Sequence, residues 1–169
     1  KAKLLRPLVK RLYKLALGGG RVRTIFQNDD DRDSFVSWGL VDQECTMLIR
    51  GSGVDVEKFA GCGTRDTERE SIRILFASRL LREKGIFELV EACRLLRERG
   101  CSAELLIAGD IYPENPSSLI EEDVKTLDTH DAVTCLGHVD DMTGLLATVD
   151  IVVLPSYAEG TPRILIEAA

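Results

Sequence analysis

Ile151-Val152-Val153-Leu154-Pro155-Ser156-Tyr157-Ala158-Glu159-Gly160-Thr161-Pro162-Arg163-Ile164-Leu165-Ile166-Glu167 reads as strand, loop and helix in succession. The first four residues are a continuous apolar run, as in a parallel strand buried on both faces, and Pro155 and Ser156 end it. Thr161 suits a helix cap and Pro162 the first helical position, where a missing N–H has no intrahelical partner anyway. Glu159 then falls in a loop at the carboxyl end of a strand, and Glu167 falls inside the following helix. In open α/β sheets that edge is where ligands bind. A carboxylate there accepts hydrogen bonds from two adjacent hydroxyls of a sugar or ribose, and free N–H groups at the helix start favour a phosphate. The same residues also read as an exposed loop acid and a helical Arg163/Glu167 pair at i,i+4.

Working back along the chain, a strand-helix alternation occupies everything from Ile72 onward. Strands are predicted at 72–77, 103–108, 132–136 and 151–154. Ile86, Leu89, Val90, Cys93 and Leu96 recur at helical spacing between the first two strands, Ile120, Val124 and Leu127 between the next two, and Leu145, Leu146 and Val149 line a short third helix. Strands separated by helices imply right-handed crossovers and a parallel sheet. The fold class is therefore α/β, a Rossmann-like parallel sheet.

Glu159 and Glu167 are separated by seven residues. With Asp150, Leu154-Pro155-Ser156, Glu159-Gly160, Pro162 and Glu167-Ala168, this stretch resembles the E-x7-E signature of retaining GT-B glycosyltransferases, specifically glycosyltransferase family 4. The resemblance implies that Glu159 faces the sugar of a nucleotide donor, that Gly160 and Thr161 offer backbone N–H groups beside it, and that Glu167 bonds the ribose hydroxyls. Family members retain anomeric configuration without a bound metal, so no cofactor and no metal are expected.

Arg79 and Lys84 follow the first strand of this half. A lysine at a helix start opposes the helix dipole, a placement that an intervening anion such as a diphosphate relieves. The pair is similar to the family's basic pair, which implies that Arg79 and Lys84 stabilise the departing nucleotide diphosphate. Two solvated loop charges are the alternative. By the same resemblance the backbone around Gly137 and Val139 lies near the nucleotide base. His138 reads as a loop residue, and Asp140 or Asp141 as the cap of the helix beginning near Met142. The loop Tyr112-Pro113-Glu114-Asn115-Pro116-Ser117-Ser118 resembles the "NP-x-S" loop of bacillosaminyl-lipid transferases, which act on polyprenyl-diphosphate-linked sugars. The implied partners are a nucleotide sugar, with a uridine diphosphate N-acetylhexosamine the family expectation, and a glycan or polyprenyl-linked acceptor in surface polysaccharide biosynthesis.

Nearer the amino terminus, residues 1–17 form a basic amphipathic helix. Leu4, Leu5, Leu8, Val9, Leu12, Leu15 and Ala16 share one face, and Lys3, Arg6, Lys10 and Lys14 the opposite one. Such a helix either covers a sheet or makes a peripheral contact with an anionic membrane. Gly18-Gly19-Gly20 breaks it. Strands are predicted at 22–26 and 46–49, a short helix at 33–40, and capping or turn roles for Asn28, Asp29 and Asp30. Residues 1–60 then read as the end of an N-terminal GT-B domain, 61–70 as a linker, and 71–169 as an incomplete donor-binding half. The resemblance implies a chain truncated at both ends, with turnover requiring the missing half.

Composition narrows the alternatives. A net charge of −6 argues against a general nucleic-acid binder, although Lys1 through Arg23 carry eight cations before the first acid, Asp29. Five cysteines, odd in number and without a C-x-x-C pair, argue against a disulfide framework or zinc site and point to a cytoplasmic setting, peripheral on the inner membrane face if the first helix binds lipid. Two other functions share the predicted architecture. A nucleotide-sugar-binding or regulatory domain without transfer activity has the same donor pocket; a receiver-like signalling domain needs a phosphorylatable aspartate, for which Asp110 is a poor match.

Overall fold

The computed structural model describes residues 2–19, 22–51, 53–60 and 69–169. The expected linker at 61–70 lies outside these but for its last two residues. The chain forms two compact units, one of residues 1–53 with 160–162 and one of residues 54–159 with 163–169. Residues 54–60, expected with the N-terminal part, group with the second unit.

The first unit holds α1 (Ala2–Leu17), β1 (Thr24–Phe26), α2 (Asp29–Ser37) and β2 (Thr46–Leu48), with β1 and β2 parallel and Thr24, Ile25 and Phe26 in register with Thr46, Met47 and Leu48. Asn28 caps α2 by accepting from the Asp31 amide at 2.7 Å. The helix starts earlier than the apolar spacing predicts, because Asp29, Asp30 and Asp31 suit the positive end of the helix dipole. Around α1 the packing is unlike that of an ordinary covering helix. Tyr13 meets Phe35 edge-on at 5.4 Å, and the Lys10 ammonium stands 4.3 Å from the Trp38 ring centroid with the Arg6 guanidinium at 5.2 Å. The basic side of the helix therefore takes these aromatics. Leu5, Leu8, Leu12 and Leu15 stay more than half exposed.

The second unit continues with α3 (Val56–Phe59), β3 (Ile72–Ala77), α4 (Ile86–Glu98), β4 (Ala103–Ala108), α5 (Glu121–Asp128), β5 (Val133–Gly137), α6 (Met142–Leu146), β6 (Ile151–Val152) and α7 (Arg163–Ala168). Its sheet has the order β5-β4-β3-β6, all pairs parallel. Alternate residues of each strand feed opposite faces. Ile74, Phe76, Leu105 and Ile107 meet Ile86, Leu89, Val90 and Cys93 of α4 and Leu127 of α5; Leu75, Ala77 and Ala108 meet Met142, Leu145 and Leu146 of α6. Leu75, Phe76 and Leu105 are fully buried, which explains the unbroken apolar runs of the central strands. β6 is shorter than predicted; the Val153 amide still bonds the Leu75 carbonyl at 2.9 Å before the chain leaves the sheet.

The strand order has a functional consequence. The chain moves outward from β3 through β4 to β5, then crosses by α6 to the other face and lays β6 on the opposite side of β3. The reversal makes the carboxyl ends of β3 and β6 the switch point of the sheet, the edge at which doubly wound sheets bind ligands in a crevice. Among the described residues no helix is long and apolar enough to cross a membrane.

Candidate donor site at the β3/β6 crevice

After β3 the chain runs through Ser78-Arg79-Leu80-Leu81 into a 3-10 turn at Arg82–Lys84, and Gly85 then starts α4 with φ 74°. Positive φ suits glycine, and here the space demands it as well. A Cβ on Gly85 would stand 2.3 Å from the Pro155 carbonyl oxygen. The segment after β6 thus lies directly on the start of α4.

This close approach brings Lys84 onto Glu159, and the two form a salt bridge with side chains only 14% and 25% exposed. Burial alone would raise the Glu159 carboxyl; the hydrogen bond and charge of Lys84, the Ser156 hydroxyl and the charge of Arg79 outweigh it and hold the group below its ordinary value. The Arg79 guanidinium itself lies 5.5 Å from the centroid of the Tyr112 ring. Two cations and the ionised Glu159 carboxylate therefore come together at the switch point of the sheet. Cations placed there can hold a diphosphate, and an ionised carboxylate can accept from sugar hydroxyls.

The turn carrying Lys84 is supported from a second side. The Leu119 amide donates to the Leu80 carbonyl at 2.8 Å, the Arg82 amide to the Ser117 carbonyl at 2.8 Å, and the Arg82 guanidinium pairs with Asp123 at 2.7 Å. Beside them the Ser117 hydroxyl and the backbone amide of Glu83 hold the Glu83 carboxyl below its ordinary value, with Lys84 and Arg79 adding to the effect. The Asn-Pro-Ser-Ser loop thus braces the basic turn.

The remaining predicted residues are placed as follows. Glu167 bonds Arg163 at 2.7 Å across one turn of α7, the helical pairing read from its spacing, and its side chain is 12% exposed. Gly160 and Thr161 lie in the irregular segment before α7 and group with the first unit, where a Cβ on Gly160 would stand 2.3 Å from the Gln27 side-chain oxygen. Gly137 ends β5 with φ 66°, and its carbonyl accepts from the Gly109 amide at 2.8 Å. Val139 packs against the α6 face of the sheet. His138 sits between two carboxylates, 3.3 Å from Asp110 through Nδ1 and 3.3 Å from Asp140 through Nε2. Asp141 caps α6 through the Gly144 amide at 2.9 Å. Among the described residues, no three His, Cys, Asp or Glu side chains are grouped so as to hold a metal ion.

Sequence reasoning passed over Tyr157 and Glu88. The Tyr157 phenol donates to Glu88 Oε1 at 2.5 Å, beside the Lys84/Glu159 pair. The available signal was the i,i+4 spacing of Lys84 and Glu88 together with an aromatic two residues before Glu159.

With this geometry in hand, the similarities to known proteins are consistent along the chain. The family model of glycosyl transferases group 1 matches residues 71–169. An N,N'-diacetylbacillosaminyl-diphospho-undecaprenol alpha-1,3-N-acetylgalactosaminyltransferase of Campylobacter jejuni is 29% identical over 99% of this chain and 45% of its own length. The capsular polysaccharide biosynthesis glycosyltransferase CapM of Staphylococcus aureus is 27% identical over 75% of this chain and 35% of its own. Among solved structures, HepE of Anabaena, crystallised with UDP and glucose, superimposes with a TM-score of 0.69 at 20% identity over 94% of this chain and 46% of HepE. That likeness establishes a shared fold. The chain spans less than half the length of each of these proteins.

Proposed function

We infer that this chain, which belongs to the glycosyl transferases group 1 family, is the donor-binding part of a retaining glycosyltransferase. Its donor is a nucleoside diphosphate sugar, a uridine diphosphate N-acetylhexosamine in our reading, and its acceptor a glycan or polyprenyl-linked sugar of surface polysaccharide synthesis. One observation carries the reading: Lys84 and Glu159 meet in the β3/β6 crevice with Arg79 beside them. In the transfer, negative charge builds on the departing diphosphate as the bond to the anomeric carbon breaks. In this reading Arg79 and Lys84 stabilise that charge in place of a divalent ion. Glu159 takes hydroxyls of the donor sugar, Glu167 those of the ribose, and the backbone at Gly137 and Val139 lies near the base. The names of the Campylobacter relative and of the HepE complex support the choice of sugar class and base.

Calorimetric titration of uridine diphosphate, with guanosine and adenosine diphosphates as controls, tests this reading. Selective binding that persists in a chelator and is lost in the Arg79→Ala/Lys84→Ala variant is the expected result. Equal binding of all three nucleotides, or none by the folded chain, counts against it. Transfer itself is to be assayed in the full-length protein.

The exposed leucine stripe of α1 extends the reading to the acceptor. Leu5, Leu8, Leu12 and Leu15 face away from Phe35 and Trp38, and the described helix carries basic residues but no acid. Such a helix settles on an anionic bilayer at the inner face of the membrane, where a polyprenyl-linked acceptor resides. Sedimentation with anionic but not zwitterionic vesicles, lost in Leu8→Glu/Leu12→Glu, is the expected outcome; indifference to that substitution would remove the proposal.

A further inference from the structure

Four contacts tie the segment after β6 to the start of α4, and they alternate along it. Pro155 abuts Gly85, the Tyr157 amide donates to the Glu83 carbonyl at 3.0 Å, the Tyr157 phenol donates to Glu88 Oε1 at 2.5 Å, and Glu159 accepts from Lys84. Residues 155, 157 and 159 all address the 83–88 stretch, around a bend at Tyr157 and Ala158. Yet Tyr157 is 73% exposed, so its ring is not part of a core. What fixes it is the hydrogen bond. That bond holds the Glu88 carboxyl below its ordinary value and the Tyr157 phenol above its own, as expected of a neutral phenol donating to an ionised carboxylate.

We propose that Tyr157 is the positioning residue of the donor site: its phenol, latched to Glu88 on α4, holds the 155–159 segment in the one register that presents Glu159 to Lys84. This rests on the nucleotide-sugar reading of that site. Tyr157 acts through the pair and not on the donor. Without the latch the segment keeps the Tyr157 amide bond and the Lys84 pairing but gains freedom, and Lys84 must be ordered anew each time a diphosphate arrives. Ordering freed groups at the moment of binding weakens affinity.

The test compares the wild-type chain with Tyr157→Phe, Glu88→Gln, Lys84→Ala and Tyr157→Phe/Lys84→Ala, using hydrogen exchange without ligand and titration of uridine diphosphate. Loss of one exposed hydrogen bond to a charged group predicts about threefold to tenfold faster exchange across 155–159 in Tyr157→Phe, and a similar loss of affinity. Glu88→Gln keeps an acceptor oxygen and retains most of both. In the Lys84→Ala background, adding Tyr157→Phe changes the affinity no further. Unchanged exchange in Tyr157→Phe removes the latch. Faster exchange with wild-type affinity removes the positioning role, and a full additional loss in the Lys84→Ala background means that the phenol touches the donor itself. If the wild-type chain binds no uridine diphosphate, the functional reading fails and the positioning role with it, while faster exchange would still establish the latch.

Discussion

The Lys84 ammonium and the Glu159 carboxylate, 75 positions apart in sequence, are bonded to each other in the crevice between β3 and β6. Both side chains are more buried than exposed, so each depends on the other for its charge to be tolerated.

Removing one partner exposes that dependence. Lys84→Ala leaves a largely buried carboxylate unpaired and is expected to lower stability by about 2 kcal/mol, with uridine diphosphate affinity down about 10- to 100-fold. Adding Glu159→Gln to Lys84→Ala removes the orphaned charge and restores part of the stability but none of the affinity. Urea denaturation and calorimetry of the two variants check this. Restored affinity would mean that Lys84 serves only to neutralise Glu159.

The acid limb of stability follows from the same pair. The Glu159 carboxyl is held below its ordinary value in the folded chain, so its contribution is complete above the unfolded carboxyl's pKa of about 4.3 and is lost as pH falls through the depressed folded value. The wild type should therefore lose more stability than Glu159→Gln as pH falls from about 5 through the depressed folded value of the carboxyl. Thermal melts of both across that window decide it; parallel curves would show that the pair contributes nothing net.

Gly85→Ala tests the close approach that seats the pair. It forces a side chain to φ 74° and drives a Cβ to 2.3 Å from the Pro155 carbonyl oxygen, a backbone atom that cannot rotate away. The conformation alone costs about 1 kcal/mol, and displacing the backbone adds at least as much. The variant should lose about 2 kcal/mol or more, and affinity should fall because Glu159 moves with Pro155. Gly39→Ala, at φ 63° with open space around it, is the control and should show the conformational cost alone.

How far the sequence alone reaches is seen in these residues. The β3 and β4 strands lie where the apolar runs predict, because a strand buried on both faces leaves a local mark. The junctions that carry Glu159 and the Arg79/Lys84 pair were legible for a similar reason: each lies between a strand and a helix, and such junctions are local. That Lys84 bonds Glu159, however, depends on β6 returning to the far side of β3, and strand order leaves no trace in either segment. The Tyr157 bond to Glu88 was hidden the same way. In α1 the pattern gave the two faces correctly, but which face meets Phe35 and Trp38 was set by aromatic stacking against cations, not by apolar periodicity.

Glu167 offers the sharpest division between reading its pairing with Arg163 as structural and reading its carboxylate as ribose-binding. Its Oε1 lies 2.7 Å from Arg163 Nε across one turn of α7, and helical pairs at i,i+4 contribute about 0.5 kcal/mol at most. A carboxylate that takes two ribose hydroxyls predicts a loss confined to ligands that have a ribose. Glu167→Ala should weaken uridine diphosphate about tenfold or more and leave inorganic pyrophosphate unchanged, whereas Lys84→Ala should weaken both. Arg163→Ala, which frees the carboxylate without removing it, should weaken neither. Parallel losses of both ligands in Glu167→Ala would assign Glu167 to the fold of α7. No loss of either would leave Arg163 as its whole purpose, and the ribose would then need another acceptor.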